Sequence, residues 1–237
     1  MTGPKTDIDI LVLGAGLAGL SLGEACVRTG AGARLALIEP RETYQDDRTW
    51  CFWPQPGDPD LALAETVWPR WRFSTADGRA WTHGCEVRPY AYLRGSNVYK
   101  SALDAVRGSN HVALHTGVSA GAITPDAEAV AVETSAGVLR ARHVIDARPP
   151  APGQAGAATL LQVFAGREIE TERACFDPGE AELMTDMRCD AHGFVFTYAL
   201  PLSPTRALVE ATRFCDPETS SEVVERDLDA LFAQRGL

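Results

Sequence analysis

Basic runs, spanning apolar runs and paired cysteines are all missing from this sequence. With Lys+Arg 22 against Asp+Glu 32, its formal net charge is −10. No basic tract is available to neutralise phosphates, which argues against a nucleic-acid partner and against simple docking on anionic lipid. No stretch approaches the roughly 18 apolar residues of a spanning helix. The short apolar run near the N-terminus reads as a first strand, not as a secretory segment. The six cysteines form no CxxC pair and the five histidines no cluster. Zinc is therefore not expected, and scattered free cysteines fit a reducing cytoplasm. No G-x-S-x-G elbow, internal repeat or low-complexity tract is present. What remains, 45% hydrophobic and 23% charged residues over 237 positions, is enough for a sizeable core in one large or two small domains.

The informative stretch is Asp7 to Glu39. An apolar run through Ile8, Ile10, Leu11, Val12 and Leu13 leads into Gly14-Ala15-Gly16-Leu17-Ala18-Gly19. A helical pattern follows, Gly30 and Gly32 end it, and Leu35 to Ile38 closes on Glu39. This is a βαβ unit with a dinucleotide fingerprint in its first turn. Gly14 permits the tight turn, Gly16 lets backbone approach a pyrophosphate, and Gly19 lets the helix lie close to the sheet. The helix N-terminus then faces the anion. Glu39, 20 residues after Gly19, is placed to accept from a ribose 2′-hydroxyl and to repel a 2′-phosphate, which favours FAD or NAD over NADP.

Further along, residues 40–60 read as an irregular loop. Trp50 and Phe52 there either pin the loop to the core or line a pocket for an apolar or cationic species. Residues 61–90 suggest a strand, an Asp77-Gly78 turn and a second strand. Tyr90 to Val106 reads as a helix. Val112–Leu114 is a short strand, and Ala129–Thr134 with Val138–Ile145 form a hairpin. The last of these ends at Asp146, where an open α/β sheet returns to its cofactor edge. Pro149 to Ala158 reads as a linker, dividing a nucleotide-binding domain with inserted strands (1–150) from a β-rich portion (151–237). Strands are expected at Leu160–Glu170, Phe194–Leu202 and Ala207–Phe214. A final helix over about Ser220–Gln234 has nothing after it to cover its apolar face. Overall this is an α/β, Rossmann-like dinucleotide-binding chain with a β-rich subdomain.

Four local stretches carry a family resemblance. Asp47-Arg48-Thr49-Trp50-Cys51-Phe52 resembles the (D/N)-x-T-W-x-F motif of the lycopene β-cyclases. Val144-Ile145-Asp146-Ala147-Arg148 is similar to their V-I-D-x-R, and Gln162 to Glu168 to their Q-x-F-x-G-x-E. Phe194 to Thr212, FVFTYALPLSPTRALVEAT, resembles their long LPLSPTR hairpin. Three departures stand out. Thr185 separates Met184 from Asp186, where the family has Met-Asp. Ala211 replaces the family's second acid. The later glycine-rich stretch near the flavin ring has no counterpart, so the chain reads as a C-terminally truncated, N-terminal portion of the family's length.

The resemblance implies a flavoprotein monooxygenase-like fold and isomerisation of lycopene, its linear ends closing to β-rings. It implies Glu210 as the proton donor, Asp186 as a second carboxylate and Trp50 and Phe52 in the substrate pocket. The cofactor site comprises Gly14, Ala15, Gly16, Gly19, Glu39 and Asp146. FAD in reduced form is implied, with NAD(P)H as reductant, as is a cytoplasmic location peripheral to the membrane. Read without the resemblance, Glu210 is equally a solvated strand glutamate and Asp186 a loop or cap residue. A monooxygenase or prenyl reductase of the same fold, and an inactive nucleotide-binding fragment, stay open as alternatives.

Overall fold

The computed structural model describes residues 8–150, 160–217, 219 and 222–237. In chain order, β1 (Ile8–Leu13), α1 (Leu17–Thr29) and β2 (Leu35–Glu39) form the first βαβ unit. Next come β3 (Thr49–Phe52), a 3-10 turn at Pro59–Leu63, β4 (Ala64–Trp68), β5 (Arg70–Ser74), β6 (Ala80–Gly84) and β7 (Tyr90–Arg94). α2 (Gly95–Arg107) leads to β8 (Val112–Thr116), β9 (Ala120–Pro125), β10 (Val130–Thr134) and β11 (Gly137–Asp146). The chain continues as β12 (Leu161–Glu170), β13 (Glu180–Asp190), β14 (Gly193–Pro201), β15 (Arg206–Cys215) and α3 (Glu222–Arg235).

The chain divides into two units. One comprises Met1–Thr49 and Arg94–Ala151, the other Trp50–Leu93 and Pro152–Leu237. The inserted strands thus group with the C-terminal segment, where the linear reading had put them in the nucleotide-binding domain. The physical reason is pairing: β5 lies parallel to β13, with Arg70 opposite Glu180 and Trp71 opposite Ala181. Apart from Pro149 and Pro150, the expected linker lies outside the described residues.

The first unit is a six-stranded sheet in the order β8-β2-β1-β11-β10-β9. Its parallel centre explains the nearly continuous apolar runs of β1 and β2, since strands covered on both faces have no polar alternation. Leu11, Leu13, Ala36, Ile38, Val132 and Ala141 form its core.

The second unit is built on a six-stranded sheet, β12-β15-β14-β13-β5-β6, with a three-stranded sheet β3-β7-β4. Alternation assigns its two faces. Ala165, Ala199, Ala207, Val209 and Ala211 pack against Val224, Leu228 and Leu231 of α3. The final helix therefore has a partner, the β12–β15 face, and the expectation of an uncovered helix is corrected. The other face carries Ala181, Leu183 and Leu200 against Trp68 and Tyr92 of the small sheet.

Other local readings also change. Residues 49–52 are a strand, not irregular loop, because their backbone pairs with β7. Tyr90–Arg94 is a strand and the helix begins only at Gly95. Such a short apolar run has no decisive period of its own. Among the described residues, no helix is long and apolar enough to cross a membrane.

Candidate functional site

The turn after β1 has the geometry that a diphosphate needs. Gly14 adopts φ +90, which an L side chain rarely tolerates, and its N–H donates to Ile38 O at 2.9 Å. A Cβ on Gly19 would sit 2.1 Å from Gly14 O, whereas one on Gly16 would meet nothing within 4 Å. Gly19 therefore answers a packing demand and Gly16 leaves open space over the helix end. The α1 N-cap is Gly16 and no side chain caps it, so the first-turn amides stay available to an anion. Gly19→Ala is expected to destabilise the first unit by about 1–3 kcal/mol through overpacking. That opposes the gain an alanine normally brings to a helix interior. A raised urea midpoint would sink the expectation.

Glu39 is 5% exposed. Its Oε2 accepts from the Ala15 N–H at 2.8 Å, and its Oε1 from Arg41 Nε at 2.8 Å and Arg41 N at 3.2 Å. Burial opposes the charge, but these donors outweigh it and hold the carboxyl below its ordinary value. The Arg41 guanidinium in turn lies 4.6 Å from the Tyr44 ring centroid and 5.6 Å from that of Tyr99. Tyr44 Oη donates to Ala15 O at 2.9 Å. The Ala15 N–H is thus committed to Glu39, and Ala15 serves to tie the glycine turn to the end of β2. Asp146 forms a bidentate pair with Arg148, both bonds at 2.8 Å. That pairing lowers the Asp146 pKa. Arg41 and Tyr44 were not singled out in the sequence, and Arg148 only as the end of the V-I-D-x-R stretch; Arg41 lies two residues beyond Glu39 as Arg148 lies two beyond Asp146, so an acid-x-Arg pattern was there to be read.

In the second unit Glu210 projects from β15 on the face of Leu208, Thr212 and Phe214. Its pKa is raised by burial, opposed by the Thr212 hydroxyl, which donates to Glu210 Oε1 at 2.8 Å. Directly opposite on β14 is Tyr198. Counting outward from the Ser203–Arg206 turn gives this pairing, so Tyr198 was recoverable from sequence. Around it, Phe196 meets Tyr198 edge-on at 5.5 Å, and Phe194 stacks on Phe214 at 6.5 Å.

Two groups from the inserted segment join this cluster. Burial pushes the Cys51 thiol up to about 12 against a hydrogen bond from Tyr90, with the Glu210 charge adding to the rise. Burial, then Cys51, pushes Tyr90 well up, and burial, then Glu210, raises Tyr198. One carboxyl, one thiol and two phenols are thus biased toward their neutral forms. Trp53 packs on Tyr90 at 4.6 Å and on Trp71 at 5.6 Å. Cys51 joins this aromatic cluster from the middle of β3, between the half-buried Trp50 and Phe52.

Asp186 is not among the groups acting on Glu210. It lies in β13 with φ 53, close to Met184 at φ 48, where the pairing with β14 shifts register on both sides of Thr185. The added Thr185 is absorbed there: it is buried, with its hydroxyl 2.9 Å from that of Thr197. Asp186 N donates to Ser74 Oγ at 3.2 Å. Ala211 belongs to the core against α3, so an acid at that position would face away from Glu210.

A protein-family model described as "Lycopene cyclase protein" matches residues 9–237. The chain is 29% identical over 218 residues to lycopene beta-cyclase of Paracoccus sp. (strain N81106 / MBIC 01143), covering 88% of this chain and 52% of that protein. It therefore spans about half the length of that curated relative. Among solved structures, PqsL, a probable FAD-dependent monooxygenase from Pseudomonas aeruginosa, superposes with TM-score 0.69 at 16% identity, over 96% of this chain and 66% of that one. A geranylgeranyl bacteriochlorophyll reductase-like protein from Thermoplasma acidophilum gives TM-score 0.69 at 14% identity, over 95% and 61%. These likenesses establish the fold as that of FAD-dependent monooxygenases and reductases.

Proposed function

This chain belongs to the lycopene cyclase protein family, and on that premise we propose that it closes the linear end groups of lycopene to β-rings. The reaction is an isomerisation of the intramolecular-lyase type. The observation that carries the proposal is Glu210, a carboxyl biased toward protonation by burial on a sheet face of aromatic residues. The neutral acid gives its proton to the terminal double bond. The resulting cation is attacked by an internal double bond, and a ring proton returns to base, so no atom is gained or lost. Such chemistry needs an acid kept neutral, π-faces beside the charge and no free water. Tyr198 and Tyr90 supply rings beside Glu210, and Trp53 packs on Tyr90 behind them. Asp186, its carboxylate without a hydrogen-bond or ion-pair partner among the described residues, is the candidate second carboxylate; Trp50 and Phe52 are candidate pocket walls.

The cofactor we assign is FAD. Gly14, Gly16, Gly19 and the α1 amides would hold its diphosphate, Glu39 its ribose, and Asp146 would lie beside the turn. In support, Gly16 leaves the approach open and Glu39 is buried next to Ala15. Bound in reduced form, with NAD(P)H as electron source, the flavin supplies an electron-rich ring that favours nearby positive charge. Glu39→Ala is expected to weaken FAD binding by about 1–3 kcal/mol, because it strands buried donors. Flavin fluorescence titration measures this, and unchanged affinity would remove Glu39 from the role. The polyene dissolves in lipid, so we place the protein in the cytoplasm, peripheral to the membrane.

The deciding experiment incubates the flavin-loaded, reduced protein with lycopene without dioxygen. Ringed products support cyclisation. Turnover that appears only with dioxygen would replace this reading with a monooxygenase. A purified chain that takes up no flavin would make it an inactive member.

A further inference from the structure

Gly166 stands directly opposite Glu210 in the β12–β15 ladder, and its backbone does not explain why it is a glycine. Its φ is not among the positive ones of the chain. A glycine inside a strand loosens it and gives nothing to packing, and commonly marks a close approach by something else. A Cβ here would lie 3.4 Å from both Cβ and Cγ of Glu210, in ordinary contact. Alanine therefore fits, while any atom beyond Cβ would have to lie alongside the glutamate side chain.

The surroundings fit an opening. Gly166 is exposed, and Phe164, two residues earlier on the same face, is 65% exposed. On the other side of Glu210 the space is taken by Tyr198. Thus the acid is walled by a phenol on β14 and bordered by a gap on β12.

We propose that Gly166 is a specificity-determining position, a notch in the sheet through which an extended apolar ligand end, an alkene terminus under the proposed function, reaches the Glu210 carboxyl. The identity of that ligand rests on the cyclase reading; the notch itself does not. Side-chain size at 166 sets how wide an end group can approach. Loss of the notch should strengthen the strand and shut the acid off, a combination that a purely structural glycine would not show.

The test uses the whole chain and dicyclohexylcarbodiimide, an apolar reagent that attacks protonated carboxyls. The carboxyl O–H adds across one C=N bond, and acyl migration leaves an N-acylurea carrying the full mass of the reagent, read by peptide mass. Wild type should be labelled at Glu210, Gly166→Ala more slowly, and Gly166→Val not at all. Both variants should unfold at the wild-type temperature or above, since β-branched and larger residues suit strands. Labelling of Gly166→Val at the wild-type rate would overturn the notch, as would an unlabelled Glu210 in wild type. Should Gly166→Val fail to fold, the rate in Gly166→Ala decides, and no slowing there overturns the proposal. Lycopene turnover is read separately: a wild type that labels as expected but forms no rings removes the cyclase reading and leaves the notch standing.

Discussion

Glu210→Gln is expected to lower lycopene cyclisation by about 10²–10⁴-fold, the usual contribution of a positioned general acid. Flavin uptake by the glycine turn should be unchanged. The amide keeps the shape of the acid and its bond to Thr212, so the change removes the transferable proton and little else. Its pH behaviour gives a second signature. Glu210 has its folded-state pKa raised, first by burial. Between the unfolded and folded values the native chain holds the extra proton, so native stability falls as pH rises through that window. Activity falls in the same direction, because the neutral acid is depleted. Glu210→Gln has no charge to bury, so it should match or exceed wild-type stability at neutral pH while being inactive. Urea unfolding at acidic and neutral pH, with product analysis alongside, measures both. Retained cyclisation would take Glu210 out of the mechanism.

Arg213→Leu is expected to destabilise the second unit by about 3–5 kcal/mol, the cost of stranding a buried ion pair. Arg213 is 3% exposed. Its two terminal nitrogens reach Asp190 Oδ1 and Oδ2 at 2.7 Å each, and Nη2 also reaches Asp227 Oδ1 at 2.9 Å. Its Nε bonds Asp227 as well. One guanidinium thus joins β15, the end of β13 and α3. The Arg213 bond, assisted by the His192 N–H, holds Asp190 down at about 2. This contribution is present above the unfolded aspartate value, about 3.9, and is lost as pH falls through the folded value. The wild type should therefore lose stability from about pH 4 downward more steeply than Arg213→Leu. A urea midpoint in the variant equal to wild type would show the clamp to be dispensable.

The two regions differed in how legible they were. The βαβ unit was readable because its information is local: a buried strand, three glycines and an acid within one short stretch. The β14–β15 hairpin was readable for the same reason, since the turn fixes the register; Glu210 was singled out by the family resemblance alone, because local sequence does not tell a buried strand glutamate from a solvated one. β13 was not, because the buried position after Leu183 is Thr185 while Met184 lies on the opposite side, so apolar residues do not alternate along the stretch. Cys51 and Tyr90 were missed for a different reason. They reach the face of Glu210 by packing of the separate β3-β7-β4 sheet against the larger one, between residues far apart in the chain, and no local pattern encodes it. The partner of α3 was not legible because its cover lies earlier in the chain, on β12 and β15, and no local pattern marks that face as its partner.

The second unit's interrupted course also has a consequence for synthesis. Trp68 donates its indole N–H to Pro201 O, a partner 133 positions later. β5 cannot complete its parallel pairing until β13 exists. On a ribosome, the β5–β6 hairpin would therefore emerge with one edge unpaired and wait while the whole of α2 to β11 is made. Closing so long a loop is slow, and an open apolar edge in the meantime invites association. Slower translation after residue 93 should accordingly lower the soluble yield, and cooler expression or chaperone supply should restore it. Equal yields at all elongation rates would mean that the early hairpin is safely held by its own partners.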